Sequence, residues 1–289
     1  MVKTIDPKTI SIAELHGILL GSITPRPIAF ASTVDAQGKV NLSPFSFFNV
    51  FSANPPILIF SPARRVRDNT IKHTLENVKE ISEVCINIVN YAMVQQVSLS
   101  STEYEKGVNE FIKSGLTEVA SIKIKPPRVK ESPVSFECKV NEIKELGHGG
   151  GAGNLVICEV VMIHINEAIF NSDEKIDPAK VDAVARMGGD WYCRVNSNNI
   201  FNVAKPLSQK GIGIDQLPEQ IRSSSILTGN QLAVLANVET LPVRENLLTQ
   251  LSEDDLQELE ELDINGRHQL AQNYLETGDI TKAWGSLLY

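Results

Sequence analysis

Short β-type runs fill the first 165 residues of this chain without a helix regularly placed between them, and no other feature limits the fold as strongly. Pro27 to Val34 and Pro56 to Ser61 are apolar runs bounded by proline or polar turns, the pattern of strands covered on both faces. Val134, Phe136, Cys138 and Val140 alternate with Ser135, Glu137 and Lys139, as in a strand with one wet face. Val84 to Val89 and Leu155 to Ile165 are two further runs. The turn Asp35 to Lys39, with Gly38, predicts a hairpin returning into Val40, Asn41 and Leu42. A parallel sheet needs a crossover between successive strands, so this order predicts a mainly β, antiparallel fold. The expectation is a closed barrel with helical excursions.

Two excursions are predicted. Asp68 or Asn69 can cap a helix carrying Ile71, Leu75 and Val78 on one stripe. Ser100 or Ser101 can open a second, with Tyr104, Val108, Phe111 and Ile112 inward and Gly115 as its stop. Near residue 205 the β-branched runs fade and leucines increase, which divides the 289 residues into a domain at 1–205 and a helical extension at 206–289. Within the extension, Ser252 and Asp255 form a capping-box variant, with Leu256, Leu259 and Leu262 behind an acidic face.

Charge narrows the function classes. Between Glu239 and Asp263 nine acids stand against Arg244 alone, so this stretch carries the whole formal charge of −8. The remainder is about neutral, which argues against broad electrostatic binding to nucleic acid or anionic lipid. The acidic stretch reads as a solvated helix face or a docking face for a basic partner. No run of 18 apolar residues occurs and the first residues lack a signal-type apolar run, so the expectation is a cytoplasmic protein without a membrane span. Cys85, Cys138, Cys158 and Cys193 lie far apart in apolar surroundings and read as small hydrophobes. No histidine pair has helical ligand spacing, and no metal site is expected.

Three segments bear on chemistry. Gly147 to Gly153 contains a GxGxx[GA] spacing, yet a β-type run follows it where a dinucleotide cradle needs a helix. It reads as a loop at the mouth of a site or a plain hairpin connection. Arg64, Arg65, Arg67 and Lys72 crowd into nine residues between Ser61 and the expected helix, with Thr70 among them. Guanidinium forks and hydroxyls here suit a phosphate monoester, and a solvated basic turn is the alternative. Asn41 to Phe51 is a polar and aromatic loop that could present amides and ring edges to a planar ligand or plug a core.

Taken in order, Arg26 to Thr33, Gly38, Asn41 to Asn49, Asn54-Pro55-Pro56 and Arg67 to Thr70 resemble the flavin reductase-like family. The likeness spans roughly residues 15–205 and implies an FMN-binding, Greek-key split barrel that works as a homodimer with FMN near the subunit interface. It implies that Asn41, Ser43, Ser46, Phe47 and Asn49 flank the isoalloxazine, while Ser61, Arg65, Arg67 and Thr70 reach the phosphate. Arg186 to Tyr192 resembles the family's closing segment, and reads equally as a Gly-Gly turn. Many relatives carry a histidine just before the late strand, associated with nicotinamide use. Here Asn154 stands in the comparable place and His148 lies in the glycine loop, and these two are the candidate substrate residues. The implied function is an NAD(P)H:flavin reductase passing hydride through FMN N5 to free flavin or a small-molecule acceptor. The alternatives are a flavoprotein oxidase or oxygenase, or a flavoredoxin-like electron carrier. No catalytic acid, base or nucleophile is nominated, because the cofactor carries such chemistry.

Overall fold

The structure, a computed structural model, describes residues 1–203 and 210–289. It divides into two compact units, Met1–Ile200 and Phe201–Tyr289. The boundary expected between residues 205 and 206 lies outside the described residues.

The first unit opens with α1 (Ile12–Ser22), capped by the Ser11 hydroxyl, which accepts from the Glu14 amide. Four strands follow without an intervening helix: β1 (Ala29–Val34), β2 (Val40–Phe45), β3 (Phe48–Ala53) and β4 (Pro56–Phe60). Next come α2 (His73–Glu80), β5 (Glu83–Ile88) and the short helices α3 (Val94–Leu99) and α4 (Glu110–Ser114). The two-residue strands β6 (Glu118–Val119) and β7 (Arg128–Val129) lead into the long pair β8 (Val134–Glu145) and β9 (Asn154–Ile165). One helical turn, α5 (Pro178–Val181), precedes the hairpin β10 (Val184–Arg186) and β11 (Tyr192–Arg194).

Seven strands form one antiparallel sheet in the order β2-β1-β5-β8-β9-β4-β3. The β1–β2 hairpin forms as the sequence predicts. Gly38 takes a φ of 80°, and the Asp35 carboxylate accepts from the amides of Gln37 (2.9 Å) and Lys39 (2.8 Å). β1 is covered on both faces, with Ala29 and Ala31 in one apolar cluster and Ile28 and Phe30 in another. Cys85, Cys138 and Cys158 are buried and free, and burial pushes their thiols up. Cys193 is only partly covered.

The structure corrects several expectations. β4 is not covered on both faces, since Leu58 and Phe60 are buried while Ile57 and Ile59 stay half-exposed. The face of β8 expected to be wet is dry where it starts, because Ser135 and Glu137 are buried and satisfied by hydrogen bonds. The unit is mixed rather than mainly β, and its sheet is not closed: β2 and β3 are the two edges, although only Ser46 and Phe47 lie between them. A two-residue hairpin needs positive φ, which neither residue adopts, so the chain crosses between edges instead of folding back. Asn41 to Phe51 is accordingly not a loop but most of two strands. Asp68 and Asn69 do not cap α2. Asp68 accepts from the amide (3.0 Å) and hydroxyl (2.6 Å) of Thr70, Asn69 turns left-handed at φ 57°, and the helix begins later, after Lys72. Ser100 and Ser101 close α3 rather than open a helix, because their hydroxyls donate back to the carbonyls of Val97 and Ser98. α4 is therefore short, capped by Asn109 and stopped by Gly115 at φ 66°, and Ile112 faces outward.

The second unit is helical, as expected: α6 (Glu219–Arg222), α7 (Gly229–Leu235), α8 (Arg244–Leu248), α9 (Glu253–Glu261), α10 (Ile264–Thr277) and α11 (Ile280–Leu288). They enclose a separate core that includes Ile221, Leu235, Ala271 and Trp284. Ser252 and Asp255 form the predicted capping box of α9, with Leu259 buried behind it. The Asp255 carboxylate also accepts from Lys282 Nζ (2.8 Å) and the Tyr274 hydroxyl (3.1 Å).

Candidate functional site

β4 hands the chain to the basic segment at Ser61, whose amide donates to the Phe47 carbonyl at 2.8 Å. That bond joins the start of the basic segment to the link between β2 and β3. The segment then closes on itself, with the Arg65 amide donating to the Thr70 carbonyl and the Asn69 amide to the Arg65 carbonyl, both at 2.9 Å. Inside this loop the Arg65 guanidinium donates to Thr70 Oγ1 (2.7 Å) and the Ile71 carbonyl (2.9 Å). Arg65 and Thr70 line a cavity of about 650 Å³ together with Arg64, Glu103 and Tyr104. Burial, followed by the neighbouring Arg65 charge, pushes the Lys72 ammonium down.

Arg67 stands further out, with 70% of its side chain exposed, and pairs with Asp68 at 3.0 Å. Glu103 bridges both cations, receiving Arg65 Nε and Arg67 Nη2 at 2.8 Å each. Ser61 is different. It is buried, and its hydroxyl accepts from the Asn154 amide at 3.0 Å.

The glycine loop lies against the back of this segment. The Arg64 amide donates to the Ala152 carbonyl (2.8 Å), the Gly151 amide to the Arg64 carbonyl (3.0 Å), and Asn69 Nδ2 to the His148 carbonyl (3.0 Å). A Cβ at Gly150 would sit 3.0 Å from the Val66 carbonyl oxygen, so the two backbones touch there. The two candidate substrate residues do not converge. His148 projects outward, 3.5 Å from Glu145. Asn154 is buried, donates from Nδ2 to the Pro62 carbonyl at 2.8 Å, and has no partner for Oδ1.

Among the residues expected beside a planar ring, Phe47 and Asn49 are exposed and Ser43 and Ser46 half-buried. Asn49 Oδ1 accepts from the Val50 amide at 2.8 Å. Ser46 Oγ accepts from Arg26 Nε at 3.4 Å. Arg26 is itself buried, donating to the carbonyls of Leu20 (2.7 Å) and Met187 (2.9 Å), so it ties α1 and the Arg186 to Tyr192 segment to this corner. Asn41 is also buried, and both ends of its amide are used. Nδ2 donates to Glu110 at 2.8 Å, while Oδ1 accepts from the Thr74 hydroxyl at 2.7 Å. Glu110 also accepts from the Leu42 amide at 2.9 Å, and burial pushes its carboxyl up despite these donors.

Sequence reasoning did not single out Glu103 or Glu110, and it met Arg26 only as the head of the Arg26 to Thr33 stretch. Nothing in the local pattern of the two acids distinguishes them, because their partners lie far away in the chain.

Among the described residues no group of three or more His, Cys, Asp or Glu side chains could hold a metal ion, and no helix is long and apolar enough to cross a membrane. A family described as the flavin reductase like domain matches residues 20–177. An uncharacterized protein of Halalkalibacterium halodurans, BH2278, is 36% identical over 70% of this chain and 96% of its own length. Nitrilotriacetate monooxygenase component B from Bacillus cereus superposes with a TM-score of 0.65 at 27% identity, covering 70% of this chain and 99% of that one. A split-barrel protein of Shewanella frigidimarina, assigned as a flavin reductase, superposes with a TM-score of 0.57 at 26% identity, over 68% of this chain and 96% of that one.

Proposed function

This chain belongs to the flavin reductase like domain family of flavin-binding oxidoreductases, and on that premise we propose that it is an FMN-dependent NAD(P)H:flavin reductase. In this reading it passes hydride from a reduced nicotinamide nucleotide to free flavin or another small acceptor. The observation that carries the proposal is the 2.8 Å bond between the Ser61 amide and the Phe47 carbonyl. It brings a segment suited to a phosphate next to a segment suited to a flat aromatic ring, and FMN offers one of each.

The donor set fits a phosphate monoester. Arg65 and Thr70 stand at the cavity wall, already oriented by each other, and Arg67 adds an exposed cation beside them. Ser43, Ser46, Phe47 and Asn49 are the groups for the ring; Phe47 supplies an apolar face and Asn49 an amide. A second phosphate cradle, as FAD would use, has no support. The glycine loop runs into strand β9 and is backed by the Val66 carbonyl, so its amides do not open a helix. When bound, FMN supplies hydride acceptance and release at N5, and the chain supplies position and electrostatics. A homodimer is part of the reading, and Val50 and Phe51, each 63% exposed on β3, give a second copy apolar surface to cover.

Heat-released flavin from purified protein, separated chromatographically, should be FMN; FAD alone would reject the assignment. Anaerobic addition of NADH or NADPH should bleach the flavin, and failure of both nucleotides would reject the reductase.

A further inference from the structure

Two cations of the basic segment are already matched by acids. Arg65 and Arg67 contribute two positive charges, while Glu103, in contact with both, and Asp68, in contact with Arg67, contribute two negative ones. Around them Glu76 is paired with Lys106 at 2.8 Å, Glu105 lines the cavity, and Arg64 is turned to Asn69. Glu103 differs from Asp68 in its origin. Asp68 is the sequence neighbour of Arg67, whereas Glu103 arrives from the excursion between α3 and α4. The far end of that excursion is fixed by buried Glu110, which holds Asn41 and the Leu42 amide next to the expected ring site. One segment thus touches both ends of the candidate site.

We propose that Glu103 is a built-in counter-anion of the flavin phosphate site, competing with the cofactor's phosphate for Arg65 and Arg67. The inference rests on the FMN reading above. A carboxylate with 44% of its side chain exposed adds little to folding stability through such pairs. Its position between two guanidiniums does hold their forks while no phosphate is bound, and it opposes the dianion when one arrives. The consequence is functional: FMN is held loosely enough to exchange, which suits a protein whose flavin leaves as product as well as serving as cofactor.

The test is titration of FMN and of riboflavin, which lacks the phosphate, into flavin-free full-length protein and its Glu103→Gln variant. The substitution should tighten FMN by on the order of tenfold, the effect of one charge-assisted contact, while riboflavin changes by less than about twofold. Raised salt should shrink the FMN gain. FMN affinity that is unchanged or weaker in the variant overturns the proposal, and so does equal tightening of riboflavin. If neither protein binds either flavin, the FMN reading itself fails and the role of Glu103 falls with it. FMN binding that the substitution leaves untouched overturns Glu103 alone.

Discussion

Glu137 is fully buried in β8, where a carboxylate is tolerated only because three donors converge on it: the amides of Ile122 (2.7 Å) and Lys123 (2.6 Å) and His164 Nε2 (2.7 Å). Burial alone would push this carboxyl up, but the two amides and His164 outweigh it, and the net direction is down. A carboxyl lowered in the folded state stabilises the fold above its unfolded value of about 4.3, and that contribution is lost as pH falls through the lower folded value. Glu137→Gln should therefore cost about 1–3 kcal/mol at neutral pH, because a new amide donor faces existing donors. In denaturant unfolding curves collected over a pH series, the gap between variant and wild type should narrow in acid, below the ordinary glutamate range. A gap independent of pH would mean that Glu137 acts through packing alone.

At the scale of elements, the basic segment owes its shape to the glycine loop behind it. A side chain at Gly150 would press on backbone, 3.0 Å from the Val66 oxygen and 3.1 Å from the Arg65 oxygen, whereas one at Gly149 would meet nothing within 4 Å. Backbone yields less readily than a side-chain tip, so Gly150→Ala should displace the Arg65 to Thr70 loop and cost about 1–3 kcal/mol. It should also weaken flavin binding, with Gly149→Ala as the unaffected control. Thermal melts and flavin titration of the pair check this, and equal behaviour of the two variants would show that the contact does not position the loop.

The same elements show what the sequence can disclose. The covering of β1 on both faces, the Gly38 hairpin, the Gly115 stop and the Ser252 capping box each depend on neighbours in the chain, and all are present, whereas the same reading of β4 fails because Ile57 and Ile59 stay half-exposed. β3 was illegible because Asn49, Val50 and Phe51 are exposed and read as loop. The start of α2 was illegible because Asp68 had two possible acceptor roles, and Thr70 took the one that excluded capping. At the candidate site, Arg65 and Thr70 were legible as a basic cluster with a hydroxyl. The burial of Asn41 and Asn154 was not, since it depends on Glu110, Thr74, Ser61 and Pro62, all distant in sequence.

For the molecule as a whole, the question is whether flavin binding needs both units. The residues proposed for FMN all fall within Met1–Ile200, and so does the family match, while the excess negative charge lies beyond them. An anionic stretch would repel both FMN and NAD(P)H, so the second unit should be dispensable for the cofactor. Where the chain is cut then decides the outcome. The core of the second unit joins Leu217, Ile221 and Leu235 to Leu247, Ala271 and Trp284, so a cut after Asn237 would separate the two halves of one apolar cluster. That truncation should aggregate. A cut after Ile200 removes the cluster whole and should leave a folded protein with the flavin stoichiometry and FMN affinity of the full chain. Light scattering, far-UV circular dichroism and FMN titration of the two truncations would separate these outcomes. A soluble, folded 1–200 fragment that had lost FMN binding would show that the helical unit contributes to the flavin site, and the assignment of that site to the first unit alone would be wrong.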